Sequence, residues 1–231
     1  MDTFKQDFYD AFIYKDRWKF IADGLKATMK VTLFALLLGL VLGALLGIIR
    51  TTHDKTGKLK ISNFIAKTYL TVIRGTPVII QLMIIYFVVF ADTPDIDKVF
   101  AASLGFGLNS AAYVAEIFRS GIMSIDKGQF EAGESLGLNY PKTMIYIIMP
   151  QAVKNVRPAL GNEGIVLLKE TSVAGCIGLM DLNRGGEKII SLTYKSTLPL
   201  LAVALVYLVV VLIMTFLVSR LERRLAKSDR S

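Results

Sequence analysis

An apolar run fills residues 27–49, and comparable runs recur at about 69–90, 99–118, 158–180 and 197–219. Runs of this length match the hydrocarbon thickness of a bilayer, where a chain must satisfy its own backbone hydrogen bonds. A helix does so within one segment. The chain is therefore expected to be all-α, a polytopic membrane protein with about five transmembrane helices. In the first run Ala35, Gly39, Gly43 and Gly47 recur every four residues and share one helix face. Small residues at that period let another helix approach closely.

The segments between the runs orient them. Arg50, Lys55, Lys58, Lys60 and Lys67 stand against Asp54 alone after the first run, which places that segment in the cytoplasm and the N-terminus outside. Lys127, Lys142, Lys154 and Arg157 mark a second inner segment, and Arg220, Arg223, Arg224, Lys227 and Arg230 put the C-terminus inside. The segments around Asp92, Asp95 and Asp97, and across 181–196, are acidic or mixed in sign and fall outside. The net charge of +8 flanks apolar runs instead of forming a patch, so membrane topology explains it and nucleic acid does not.

Residues 1–26 mix charges with aromatics and read as an interfacial segment, with Trp18 at headgroup level. Residues 27–219 form the transmembrane domain, and 220–231 a basic tail. The first apolar stretch begins too far from Met1 for a cleavable signal. Cys176 and His53 are the single residues of their kinds, so neither a disulfide within the chain nor a metal cluster is expected. A buried small residue and a solvated loop residue are the readings for these two.

The longest inner segment, about 120–157, holds the sequence QFEAGESLGLNYPKTMIYIIMPQ from Gln129 to Gln151. Glu131 to Leu136 reads as a short helix. Gly137 suits its stop, because glycine accepts positive φ at little cost. Pro141 suits the first turn of a second helix. A charged helix–turn–helix in a largely hydrocarbon chain must sit in water, free to dock a partner. Its spacing resembles the cytoplasmic loop of ABC-transporter permease subunits: Glu131-Ala132-Gly133, then Gly137, then Ile147-Ile148-Met149-Pro150. Gly133 stands where the family pattern has alanine, and Met149 where it has leucine.

Arg74-Gly75-Thr76-Pro77, the block Asn109 to Glu116, and Arg119-Ser120-Gly121 are similar to the polar amino-acid uptake subfamily. The resemblance implies a type I importer fold in a bacterial inner (plasma) membrane. It implies that Glu131, Ala132, Gly133, Ser135, Leu136, Gly137 and Pro150 couple the chain to ATP-binding cassette ATPase subunits. It further implies a second permease subunit, identical or different, an extracytoplasmic substrate-binding protein, and surrounding membrane lipid. ATP and Mg²⁺ belong to the ATPase partner. The chain lacks G-x-x-x-x-G-K-[ST], holds no cofactor by that device, and is read as a transport subunit and not as an enzyme.

The fourth run carries Asn162, Glu163, Lys169 and Glu170. A charge at the centre of a membrane helix costs about 2.5–3.5 kcal/mol on insertion scales. Asn162 and Lys169 are seven apart on one face, with Glu163 and Glu170 on the adjacent one. Compensation must come from other helices, water or a ligand. Pro158, Gly161 and Gly164 are expected to loosen the backbone here, as in the broken helices of transport sites.

With Gln81, an amide on an apolar helix, these four residues form the expected translocation path for a polar amino acid. Glu163 would meet an ammonium or a cationic side chain, pointing to a basic amino acid, and Lys169 a carboxylate. The plainer role for Lys169 and Glu170 is to hold helices together. Glu116 and Arg119, three apart, are expected to pair. The alternative function is an ion-coupled secondary amino-acid transporter, which would use the same buried charges without the Glu131–Pro150 pattern. A passive scaffold gains nothing from such charges, and a membrane enzyme lacks a ligand cluster.

Overall fold

The computed structural model describes residues 2–93 and 95–228, and the regular structure among them is helical with no strand. In chain order the helices are α1 (Asp2–Phe8), α2 (Trp18–Thr56), α3 (Lys60–Gly75), α4 (Val78–Ile84) and α5 (Lys98–Met123). They continue with α6 (Lys127–Ser135), α7 (Tyr140–Thr143), α8 (Met149–Glu170), α9 (Leu182–Thr193) and α10 (Thr197–Ser228). π-helical turns extend α4 through Val89 and join α7 to α8 across Met144–Ile148.

The small-residue face of α2 is the main seam of the fold. A Cβ on Gly43 would sit 2.5 Å from the Val114 Cβ and 2.8 Å from the Ala111 carbonyl oxygen. One on Gly47 would meet the Ala115 carbonyl oxygen at 2.8 Å, and one on Gly39 the Ser110 hydroxyl at 2.9 Å. Each glycine lets the α5 backbone come in where a side chain would hold it off. The partners rise in number along both helices, so α2 and α5 run parallel. Glu163 and Val156 of α8 meet Ser110 and Gly121 of α5 in the opposite order, so α8 is antiparallel to α5. Val31, Ala35, Leu82, Phe106 and Leu167 close the core between α2, α4, α5 and α8.

A parallel neighbour requires the chain to cross back once between α2 and α5, and α3 with α4 makes that return. Their junction is bent by 110°. Thr76 and Pro77 both have extended backbone, as the missing proline N–H and the steric demand on its predecessor require. The second run, expected as one span over 69–90, is thus broken, and its first half starts at Lys60. Gln81 bridges the break. Its amide donates to the Ile73 carbonyl at 2.7 Å and to the Thr76 hydroxyl at 2.8 Å, and its oxygen accepts from Asn109 at 3.0 Å.

Two helices, Trp18–Thr56 and Thr197–Leu225, are long and apolar enough to cross a bilayer by themselves, and the broken pair offers a third crossing. α5 and α8 have the length but carry polar side chains, buried at Asn109 and Ser110 of α5 and exposed at Asn162 and Lys169 of α8. The fourth run differs most from its expectation. α8 begins at Met149, passes through Pro158 unbroken, and gives way at Thr171 to a 3₁₀ stretch to Ile177. The expected loosening at Pro158 is absent because α8 packs on α5 and α10 on both sides of it.

The segment 181–196 is mostly helix, α9, and not a loop. The basic segment after the first run is mostly helix, the end of α2 and the start of α3 around a tight turn at Gly57–Leu59. His53, expected in a loop, lies in the last turn of α2 with Nδ1 2.8 Å from the Lys58 carbonyl oxygen. Residues 4–16 pack on α9: Ala11 and Phe12 bury against Ile189, and Asp7 pairs with Lys195 at 2.5 Å. Trp18 is exposed. α10 carries the basic tail onward as helix, while Arg230 lies outside the described residues.

Asp181 caps α9, accepting from the Arg184 N–H at 2.7 Å, and Thr28 accepts from the Leu182 N–H at 3.1 Å. The Asp181 side chain is fully buried, and its second oxygen has no hydrogen-bond partner. Burial pushes its carboxyl up to about 6. The folded chain therefore holds this proton more tightly than the unfolded one. The ionised form costs up to about 3 kcal/mol above pH 6, and the cost vanishes below about pH 4.

Two outcomes follow for thermal unfolding in detergent. Gly43→Val, which overpacks the seam by about 1–3 kcal/mol, should lower the midpoint by about 5 °C, whereas Gly75→Ala, with open space around it, should leave it unchanged. Asp181→Asn keeps the capping acceptor and should melt above the parent near pH 7.5 but level with it near pH 4.

Candidate functional site

The segment expected on the inner side forms a small two-helix unit. Asp126 caps α6 by accepting from the Gly128 N–H at 2.7 Å, and Asn139 caps α7 from the Lys142 N–H at 3.1 Å. α6 runs from Lys127 to Ser135, starting four residues before Glu131. Gly137 closes it at φ +75°. The Leu138 N–H reaches the Gly133 carbonyl and the Gly137 N–H the Glu134 carbonyl, at 3.0 and 2.9 Å. This is the double-bonded glycine stop that the spacing predicts.

Gly133 is buried against α7. A Cβ there would lie 2.5 Å from the Thr143 side chain, which gives glycine in place of alanine a local reason: Thr143 has taken the room. Beneath the unit, Ile122, Ile125, Met144, Ile148 and Ala152 bury together. Lys55 at the end of α2 stands over the Phe130 ring at 4.5 Å, so α6 touches the first long helix as well. Burial raises the Tyr140 phenol above its ordinary range, and the neighbouring Thr52 hydroxyl works the other way.

Glu131, Ala132, Ser135, Leu136, Gly137 and Pro150 all point to solvent, and Leu136 is 75% exposed. Ile145 and Tyr146 add apolar surface near them. Sequence reading passed over these two because they sit on what reads as the buried run of the second helix. The π-helical turn at Met144–Ile148 shifts the helical face there, and no periodicity announces it.

The second feature is the α5–α8 groove. Glu163 accepts from the Ser110 hydroxyl at 2.7 Å and is half-buried. From it a cavity of about 520 Å³ runs past Tyr113, Glu116, Ser120 and Ser124 to Asn155. A cleft of about 470 Å³ shares Ser124 and Asn155 and continues to Asp126, Gln129 and Gln151 of the inner unit. An apolar cavity of about 380 Å³ near Phe34, Leu38 and Phe100 offers little to orient a polar solute.

Glu116 bonds Arg50 and Arg119, both at 3.1 Å, and Arg74 comes within 3.9 Å. The expected Glu116–Arg119 pair is thus one part of a larger cluster, which Asp54 joins at 3.7 Å from Arg119.

Of the five residues expected along a path, only Glu163 lines this groove. Gln81 is occupied at the α3–α4 break, where its N–H donors are taken by the Ile73 carbonyl and Thr76. Asn162 and Lys169 share an exposed face beside the groove, because α8 turns them away from α5. Glu170 ends α8, seven residues beyond Glu163 on the same face, and is half-buried. Cys176 packs, partly buried, against the core, as its bland reading expects.

Comparisons with known proteins bear on this arrangement. The family model described as "Binding-protein-dependent transport system inner membrane component" matches residues 39–227. The arginine transport system permease protein ArtQ of Bacillus subtilis (strain 168) is 45% identical over 180 residues, covering 74% of this chain and 80% of that protein. The glutamine transport system permease protein GlnP of Escherichia coli (strain K12) is 41% identical over 167 residues, covering 71% and 76%. Among solved structures, an amino acid ABC transporter with histidines matches with TM-score 0.82 at 38% identity, over 92% of this chain and 98% of that one. An inward-facing MetNI methionine ABC transporter shares the fold at 18% identity, with TM-score 0.77 over 89% and 95%.

Gly137→Val forces a β-branched residue into positive φ while meeting nothing within 4 Å, so its effect is confined to the α6 stop. Membrane insertion is expected to stay normal while ATP-driven uptake falls at least tenfold, measured as labelled solute taken up per chain in the membrane.

Proposed function

We infer the function from one premise: the chain belongs to the family of binding-protein-dependent transport system inner membrane components. It is the permease subunit of an ABC importer for amino acids, and a membrane protein. The α6–α7 unit is the face on which an ATP-hydrolysing partner bears, through Glu131, Ala132, Ser135, Leu136, Gly137 and Pro150. ATP and Mg²⁺ sit in that partner. A second permease subunit faces the open side of the α5–α8 groove, since one chain leaves the groove unroofed, and a substrate-binding protein delivers the cargo from outside. The parallel course of α2 and α5, with the α3–α4 return between them, supports five crossings with the N-terminus outside and the C-terminus in the cytoplasm.

The observation that carries the substrate reading is Glu163, a half-buried carboxylate held by Ser110 at the head of a groove leading to the coupling unit. One oxygen is bonded to Ser110, and the carboxylate keeps acceptor capacity for an ammonium or a guanidinium. This favours a polar amino acid, and a basic one in particular. The relative named for arginine agrees with that preference, and the one named for glutamine shows that a neutral cargo is within the family's reach.

Alternating access follows from the connectivity. α7, the π-helical turn and α8 form one continuous helical rod from Tyr140 to Glu170, so a pull on the inner unit displaces Glu163 directly. In Glu163→Gln, uptake of the basic amino acid should fall about tenfold or more, the size of one charge-assisted hydrogen bond. Competition across labelled amino acids in proteoliposomes reads this out. Unchanged uptake of basic cargo would remove Glu163 from recognition.

A further inference from the structure

Only Ala66 and Leu70 of α3 are buried. Its inner face grips α5: the Tyr69 hydroxyl donates to the Leu108 carbonyl at 2.5 Å, and Leu70 packs on Ala112 and Ala115. At its C-terminal end Arg74 reaches Glu116 and lies over the Tyr113 ring. The charge cluster of Arg50, Asp54, Glu116 and Arg119 marks the level where α2 and α5 leave hydrocarbon, because unscreened charges are costly above it. The C-terminal end of α3 is held at that level by Arg74. The 110° bend at Gly75–Pro77 then lays it across the bundle instead of along it.

The uncovered face of α3 is divided lengthwise. Ile61, Phe64, Ile65 and Val72 are 78%, 71%, 62% and 55% exposed. Beside them Lys60, Lys67 and Arg74 recur every seven residues, which aligns them in one stripe. Among the described residues neither Lys60 nor Lys67 has an ion-pair partner, and no Asp or Glu occurs between Lys55 and Ala91.

We infer that α3 is an in-plane amphipathic helix docked on the anionic phospholipids of the cytoplasmic leaflet, with Ile61, Phe64, Ile65 and Val72 in the acyl layer and Lys60 and Lys67 on lipid phosphate. An apolar flank beside an uncompensated basic stripe is the pattern that such a surface binds. A second copy of the same face is a poor occupant, since a two-fold contact would set the stripe against itself. The lipid grip holds α3 in place, and through Tyr69 and Arg74 it braces α5. The inference needs the membrane but not the cargo, so it stands or falls apart from the role of Glu163.

The test uses the full chain in its assembled complex, in nanodiscs of equal phosphatidylglycerol and phosphatidylcholine. A benzophenone amino acid replaces Phe64, and the same probe in place of Leu212 on α10 serves as the lipid-facing control. After illumination the adducts are identified by mass spectrometry. At position 64 phosphatidylglycerol adducts should exceed phosphatidylcholine adducts about fivefold. The ratio should fall to near one in Lys60→Gln/Lys67→Gln, persist in Lys60→Arg/Lys67→Arg, and be near one at position 212. An adduct to a protein chain, equal lipid yields at position 64, or a preference unaffected by Lys60→Gln/Lys67→Gln would each overturn the inference.

Discussion

In a low-dielectric surrounding a polar side chain must find its partner inside the protein, and α5 is where this chain arranges that. Asn109 donates to Gln81 from α4, Ser110 donates to Glu163 from α8, and Glu116 holds Arg50 from α2 with Arg74 from α3 nearby. Four helices are thus pinned to one by groups that would be costly to leave alone. The glycine face of α2 makes the arrangement possible, because side chains at Gly39, Gly43 and Gly47 would hold α2 out of reach of α5. The remaining packing fills in around these bonds.

The same bonds set what can move. α8 touches α5 through Ser110 and, on the inner side, through Asn155 to Ser124 at 2.9 Å. Between those points lies the groove, lined by both helices, which also meet where Val156 packs against Gly121. The inner unit continues into α8 through a π-helical turn, while the Lys55–Phe130 contact ties it to α2. A displacement of α6 and α7 is therefore shared between the rod that carries Glu163 and the helix that carries the glycine seam. α7 of the two-helix unit and the polar head of the groove lie on one continuous element, as the proposed coupling to an ATP-hydrolysing partner requires.

Much of this was legible in the residues. Gly137 and Pro141 announced the two-helix unit because φ restriction is local and unambiguous. The four-residue spacing on α2 announced a seam for the same kind of reason. Less legible was the path itself. Sequence spacing grouped Gln81, Asn162, Glu163, Lys169 and Glu170 by polarity, yet polarity does not say which neighbour a side chain faces. Gln81 is consumed by a helix break that only the tertiary turn at Thr76–Pro77 creates. Asn162 and Lys169 face away from α5 because Ser110 fixes the rotation of α8. The start of α8 at Met149 was hidden because charged residues near an apolar run read as loop, although a helix emerging from the bilayer carries them easily.

The central claim is that work done on the inner unit by a nucleotide-hydrolysing partner drives solute through this chain. It is tested most directly by reconstituting the purified complex in proteoliposomes with ATP on the coupling side and the binding protein on the other, then collapsing proton and sodium gradients with ionophores. Labelled amino acid should continue to accumulate at an undiminished rate and stop when ATP is withdrawn. Accumulation that ceases with the gradients and persists without ATP would show an ion-coupled carrier and contradict the account.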